Sequence, residues 1–234
     1  MKFSIVGDRD PFLHVSLQRG EVVHAESGAM VTADRSIEIK GKMQGGLLSA
    51  VTRKLANGES FFTQHLEAGE RPGDVLLAPA LPGDINVIEV GPRQYCLNDG
   101  AFLASEPTVG LTVRFQGLVK GFLGDTGGFF IMESSGHGQL AIAGFGSVFA
   151  MDVTPDSPLT VDNAHVLAWD SALTYSYGLP TRNTGFLSRM VNSVTSGEGL
   201  ILNFSGQGKV YVCSRNPNAL ATYIASQIAA QKGA

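Results

Sequence analysis

The chain is poor in the residues that usually announce chemistry. It has two cysteines in 234 residues, one tryptophan, five histidines and only 16% charged side chains. Two cysteines exclude a disulfide framework. Cys96 and Cys213, both in apolar contexts, read as buried reduced thiols and point to a reducing compartment. No His-x-His exists, so the cupin-like phrase RPGDVLLAPALPGD at 71–84 lacks the histidine pair and following glutamate that a metal-binding cupin needs. No uninterrupted apolar run approaches the roughly 18 residues of a spanning helix, and MKFSIVGDRD turns polar too early for a signal peptide. The expected location is cytoplasmic. A formal net charge of −4 gives the chain as a whole no attraction for nucleic acid.

Glycine and short apolar runs are abundant instead. With 29 glycines and 44% apolar residues, the chain favours strands joined by tight turns around an ample core. One phrase is written three times: GESFFTQHLEAGERPGDVLLA from Gly58, GGFFIMESSGHGQLAIA from Gly127 and GEGLILNFSGQGKVYVC from Gly197. Each is a strand, a glycine-bearing turn and a second strand, read as a hairpin, at intervals of 69 and 70 residues. A second phrase lies upstream of each: VVHAESGAM at 22, FLASEPTVG at 102 and VLAWDSALT at 166. Three homologous all-β units follow, over 1–91, 92–155 and 156–215, packed tightly as one body because a unit this small is marginal alone. At the C-terminus, over 216–234, the pattern changes to a helix. Asn216 is its N-cap, Pro217 its first residue, and Leu220, Tyr223, Ile224 and Ile228 form one apolar face. That stripe is expected to cover the open end of the last β unit or a neighbouring subunit.

The triple arrangement, the opening VVHAESGAMV, the GGLL at 45–48, the GES phrase and the terminal NPNALATYIASQ together resemble the family named for altered inheritance of mitochondria, protein 24. The resemblance spans essentially the whole chain. It implies β-sandwich or short double-stranded β-helix units akin to the tryptophan RNA-binding attenuator protein, and a homotrimer in which three units per chain make a nine-unit ring. It implies no established activity.

Enzyme-like spellings fail on inspection. GDTGG at 124–128 imitates a serine-protease phrase, but threonine replaces the nucleophile and the stretch opens a repeated strand pair. The histidines (His14, His24, His65, His137, His165) hold no matching places in the three units and read as structural. Trp169, beside Asp170, reads as core or interface packing rather than a stacking platform. No catalytic, cofactor-binding or metal-binding residue is assigned, and no small-molecule substrate is identifiable. The remaining route to an enzyme is a hydrolase hidden among Glu26, Asp74 and Asp84, which would need two of them in one pocket with raised pKa values.

The charge distribution is uneven. Three connecting segments, 39–57, 113–124 and 181–196, hold eight of the 17 basic residues and none of the 21 acidic ones. They therefore stand at +8, while the rest of the chain, with nine basic against 21 acidic residues, stands at −12. The first carries Lys40, Lys42, Leu47, Leu48, Arg53 and Lys54; the second Arg114, Leu118, Lys120 and Phe122; the third Arg182, Phe186, Leu187 and Arg189. If the units are related by rotation, these segments emerge on one face. Three readings stand. The apolar side chains pack into the trimer centre, or the segments meet an anionic membrane, or they hold RNA phosphates. The reading adopted is a non-enzymatic scaffold or binding protein, partnered by itself and by the membrane surface.

Overall fold

The computed structural model describes residues 1–41, 63–116, 129–178 and 200–232. Alternation sets its strands. In FLHVSL, Leu13, Val15 and Leu17 are buried and their neighbours point the other way; GDVLL repeats this with Val75 and Leu77. An opening hairpin of β1 (Lys2–Val6) and β2 (Phe12–Leu17) precedes three similar series. The first is β3 (Val22–Glu26), β4 (Met30–Ala33), β5 (Ile37–Gly41), β6 (Thr63–Ala68), β7 (Gly73–Leu77) and β8 (Gly83–Val90). The second is β9 (Tyr95–Asn98), β10 (Phe102–Ser105), β11 (Val109–Gln116), β12 (Phe129–Gly136), β13 (Gly138–Phe145) and β14 (Val148–Val153). The third is β15 (Leu159–Asp162), a 3-10 turn at Asn163–His165, β16 (Val166–Asp170), β17 (Thr174–Gly178), β18 (Ile201–Ser205) and β19 (Gly208–Cys213), after which comes the helix α1 (Pro217–Lys232). The fold is all-β with a C-terminal helix, as expected.

Pairing follows one scheme in every series. The third strand pairs with the fourth, the fourth with the first, and the second with the fifth, always antiparallel. Consecutive series are then stitched together where β3 pairs with β10 and β9 pairs with β16. The result is two six-stranded sheets, β5-β6-β3-β10-β13-β8 and β11-β12-β9-β16-β19-β14, flanked by a four-stranded sheet, β1-β2-β7-β4, and a three-stranded one, β15-β18-β17.

Two details depart from the sequence reading. The repeated strand-turn-strand phrases are not hairpins: β6 and β7, β12 and β13, and β18 and β19 each lie in different sheets. Neither the alternation of TQHLEA and ILNFS nor the apolar run of GQLAIAGF tells whether the turn lays the two strands side by side or carries the second into the facing sheet. Gly136 makes such a corner at φ 80°, and a Cβ there would strike the carbonyl oxygen of Thr108. The upstream phrase is also one strand out of step. VVHAE forms β3, which corresponds to β9 and β15, whereas FLAS and VLAWD form β10 and β16, which correspond to β4. The local structure fixes this equivalence. A register shift falls between Met30 and Thr32, between Phe102 and Ala104, and between Val166 and Ala168. A turn follows each, closed by the N–H of Ile37, Val109 or Leu173 donating to the carbonyl of Asp34, Glu106 or Asp170 at 2.9, 3.0 and 3.0 Å.

Three apolar cores lie between successive sheets. The first joins β2 and β7 to β3 and β6; the second joins β8 and β13 to β9 and β12; the third joins β16 and β19 to β18. Trp169, Phe102 and Phe204 are the largest fully buried side chains, each worth about 2–3 kcal/mol of apolar burial. The helix starts as the sequence predicts, with Asn216 Oδ1 accepting from the N–H groups of Asn218 and Ala219 at 2.8 and 3.2 Å. It does not cover the end of the last β unit: Leu220, Tyr223, Ile224 and Ile228 are all exposed. A helix stripe finds its partner only where the backbone aims it, and the turn after β19 aims α1 away from the sheets of its own chain.

Candidate functional site

The three basic segments leave the β framework at corresponding places. Gly41 pairs with Gln64 at the end of β5-β6, Gln116 with Phe129 at the end of β11-β12, and Gly178 with Ile201 at the end of β17-β18. Each segment therefore bridges the same antiparallel pair in its series. Of the residues singled out by sequence, Lys40 and Arg114 lie on these strands. Lys42, Leu47, Leu48, Arg53, Lys54, Leu118, Lys120, Phe122, Arg182, Phe186, Leu187 and Arg189 lie outside the described residues, as does the GDTGG stretch.

The two described cations are paired. Lys40 Nζ donates to Glu67 Oε2 at 2.6 Å and lies 3.3 Å from Glu38 Oε2, so hydrogen bonds to Glu67 and Glu38 hold its ammonium above the ordinary lysine range. Arg114 Nε lies 2.8 Å from Glu133 Oε2. Glu67 and Glu133 sit on the strands opposite, 27 and 19 residues along the chain, and Glu38 lies just before the first segment, which is why a count along the segments missed them. Of the eight segment cations, six remain beyond these strands.

Sequence separation hid a second grouping. His24 on β3 stands directly opposite His65 on β6, with the rings stacked at 4.1 Å between centroids, and Lys40 stands opposite His65 on the other side. Burial, then the neighbouring His65, lowers the pKa of His24, whose neutral form stacks without repulsion. At the end of the same strand, burial pushes the Glu26 carboxyl up to about 7, and the nearby Asp99 adds to the rise. Corresponding places in the other series hold Cys96 opposite Glu133 and Thr160 opposite Asn203, so the histidine pair belongs to the first unit alone. No group of three or more His, Cys, Asp or Glu side chains disposed for a metal ion occurs among the described residues.

The candidate acids do not converge. Asp74 on β7 accepts from Ser16 Oγ at 2.6 Å and lies 3.2 Å from His14 Nε2. Asp84 on β8 accepts from the backbone N–H groups of Ile85 and Val148 at 2.9 and 3.4 Å. Burial raises the Cys96 thiol to about 12 and lifts that of Cys213 as well, which leaves both protonated and unreactive at neutral pH. Trp169 is 1% exposed and packs edge-on against Tyr175 and tilted against Phe204, as core rather than platform. The described surface offers a shallow concavity of about 390 Å³ between Glu89, Arg93, Tyr95 and Tyr211, which unites no nucleophile with a base.

The described strands define an all-β protein built of sheets that share strands from successive parts of the chain, with a C-terminal helix. The chain belongs to the family described as mitochondrial biogenesis AIM24, whose model matches residues 3–215. It is 37% identical over 227 residues to an uncharacterised protein of Streptococcus pyogenes serotype M6, covering 92% of this chain and 86% of that one. The crystal structure of another Streptococcus pyogenes protein superposes with a TM-score of 0.80 at 31% identity, covering 97% of this chain and 99% of that one. The family resemblance drawn from VVHAESGAMV, GGLL and the terminal helix phrase is thereby borne out. In the described residues, no helix is long and apolar enough to cross a membrane.

Proposed function

We propose that the protein is a non-enzymatic scaffold that assembles as a homotrimeric ring and lies against anionic membrane through segments 39–57, 113–124 and 181–196. The observation that carries this reading is the common origin of the three segments, each spanning the same strand pair of its series. The strand pairs that flank the segments follow one pairing scheme, which supports equivalent positions for the three, and a ring would multiply them threefold. Their composition suits a headgroup boundary: apolar side chains to insert, and lysine or arginine beside them, each worth about 1 kcal/mol near an anionic surface. The pairing of Lys40 and Arg114 moves the electrostatic weight onto Lys42, Arg53, Lys54, Lys120, Arg182 and Arg189.

Co-sedimentation with vesicles of neutral and of anionic lipid, at low and at physiological salt, tests the proposal. Binding is expected only with anionic lipid, and the combined substitution of Lys42, Arg53, Lys54 and Lys120 by glutamate should abolish it. Equal binding to neutral vesicles, or full retention by the glutamate variant, would overturn it.

A further inference from the structure

Of the two seams that join successive series, one is lined by groups that change charge near neutral pH. Where β3 meets β10, the row across the sheet runs Lys40, His65, His24 and Ser105, from β5 through β6 and β3 to β10. Where β9 meets β16, the equivalent row runs Thr112, Glu133, Cys96 and Trp169. In the third series it runs Ser176, Asn203 and Thr160. A lysine and two histidines side by side therefore belong to the first series alone. Residues directly opposite in a sheet turn their side chains to one face, so the three are neighbours in space as well as in register.

The row is poised between two charge states. The imidazoles of His24 and His65 stack at 4.1 Å with 18° between their planes, an arrangement that two neutral rings hold and two imidazolium rings oppose. Lys40 keeps a positive charge on the far side of His65. The acids on this face give little relief. Glu38 on β5 and Glu67 on β6 already share the Lys40 ammonium, at 3.3 and 2.6 Å. Glu26, two residues along β3, is kept protonated up to about pH 7 by its burial and by Asp99 in the turn after β9. It has no carboxylate to offer when acid charges the histidines, and β10 presents only Ser105. The strand arrangement gives the repulsion a place to act, because β5 is the outer strand and the β5-β6 pair joins the rest of its sheet through β3.

We propose that the His24–His65 stack is an acid-sensitive clasp. It holds the β5-β6 pair on β3 while both rings are neutral, and it frees the end of that pair, residues 40–41 and 63–65, when both take up protons. The first basic segment is attached to that end, so the clasp acts on one of the three segments and leaves the other two unchanged. It stands whatever surface the segment meets.

Hydrogen–deuterium exchange of the full chain, read by mass spectrometry at pH 7.5 and pH 5 and corrected for intrinsic exchange, tests the clasp. The pairs β11-β12 and β17-β18 serve as internal controls. Protection of β5 and β6 is expected to fall roughly tenfold or more at the lower pH, the equivalent of one unit of histidine pKa, while the controls hold. His65 is exposed, so His65→Gln should keep its far-UV circular dichroism and show no such fall. His24→Gln should flatten the response in the same way. No loss at β5 and β6, an equal loss in all three pairs, or a His65→Gln variant that opens as wild type does, overturns the clasp.

Discussion

The two internal seams and the two chain ends are built from the same strands and differ only in whether a neighbour is present. β10 and β16 are buried throughout, while β4, in the corresponding place, leaves both Val31 and Thr32 exposed. β9 buries Tyr95, Cys96 and Leu97, while its counterpart β15 buries none of its four residues. Composition does not account for this, because MVTA and LTVD are as capable of packing as FLAS and YCLN. Burial here is a property of the junction between units, so a unit's core is finished by a side chain from the unit after it.

The largest expected effect breaks that comparison most directly. Leu103 and Leu167, at the register shifts of β10 and β16, lie buried in the first and second cores, so Leu103→Ala and Leu167→Ala should each cost about 2–5 kcal/mol in urea denaturation. Val31, at the same shift of β4, is exposed, and at concentrations low enough to hold single chains Val31→Ala should change stability by less than about 0.5 kcal/mol. An equal loss at Val31 would mean that the end of the chain is already closed. A second probe lies where the start of β8 meets the end of β13. A Cβ at Gly83 would run into the carbonyl oxygen of Gly144, so Gly83→Ala should cost about 2–3 kcal/mol by the same measurement. Gly28, although its φ is 88°, has open space around it, so alanine there meets only the backbone penalty of about 1–2 kcal/mol.

The all-β class was legible in the sequence because short apolar runs alternate with glycine turns along nearly the whole chain. The pairing was not. GKVYVC and ILNFS carry the same alternation whether β19 returns beside β18 or crosses to the facing sheet, and period-two patterns do not encode the partner. VVHAE was matched to FLAS because an apolar pair followed by alanine occurs in adjacent strands of one unit. The helix was legible from Asn216 and Pro217, but its target was not, since an apolar stripe names a face and no neighbour. The ion pairs of Lys40 and Arg114 escaped notice for a related reason: their partners are cross-strand, and only register brings Glu67 and Glu133 beside them.

Glu26 sharpens the comparison by titration. It ends β3 inside a seam, whereas its counterpart Asp162 ends the open strand β15 and accepts from the N–H of Ala164 at 2.9 Å. Folding raises the Glu26 pKa from 4.5 to about 7, so between those values the folded chain holds more protons than the unfolded one. Stability therefore falls as pH rises through this window, and the loss is complete above about 7. His24 works in the opposite sense, because its lowered pKa lets the folded chain gain stability as pH rises towards 6.5. The difference between wild type and Glu26→Gln isolates the carboxyl. The variant should be more stable by about 2 kcal/mol at pH 8, with the gap closing towards pH 4.5. A pH-independent gap between the two melting curves would remove Glu26 from the seam's energetics.

The smallest effect is expected where the charges already have partners. Lys40 is more than half exposed and shares Glu67 and Glu38, and Arg114 is equally open beside Glu133. Exposed pairs of this kind contribute little, because solvent screens them and two long side chains must be held still. Replacing Lys40 and Arg114 by methionine should leave both the melting temperature and vesicle binding nearly unchanged, while replacing Arg53 and Lys54 should weaken vesicle binding several-fold. If the methionine variant loses binding as steeply as the other, then the strands and not the segments between them meet the lipid. The contact would then be a property of the strand framework rather than of the segments that join its strands.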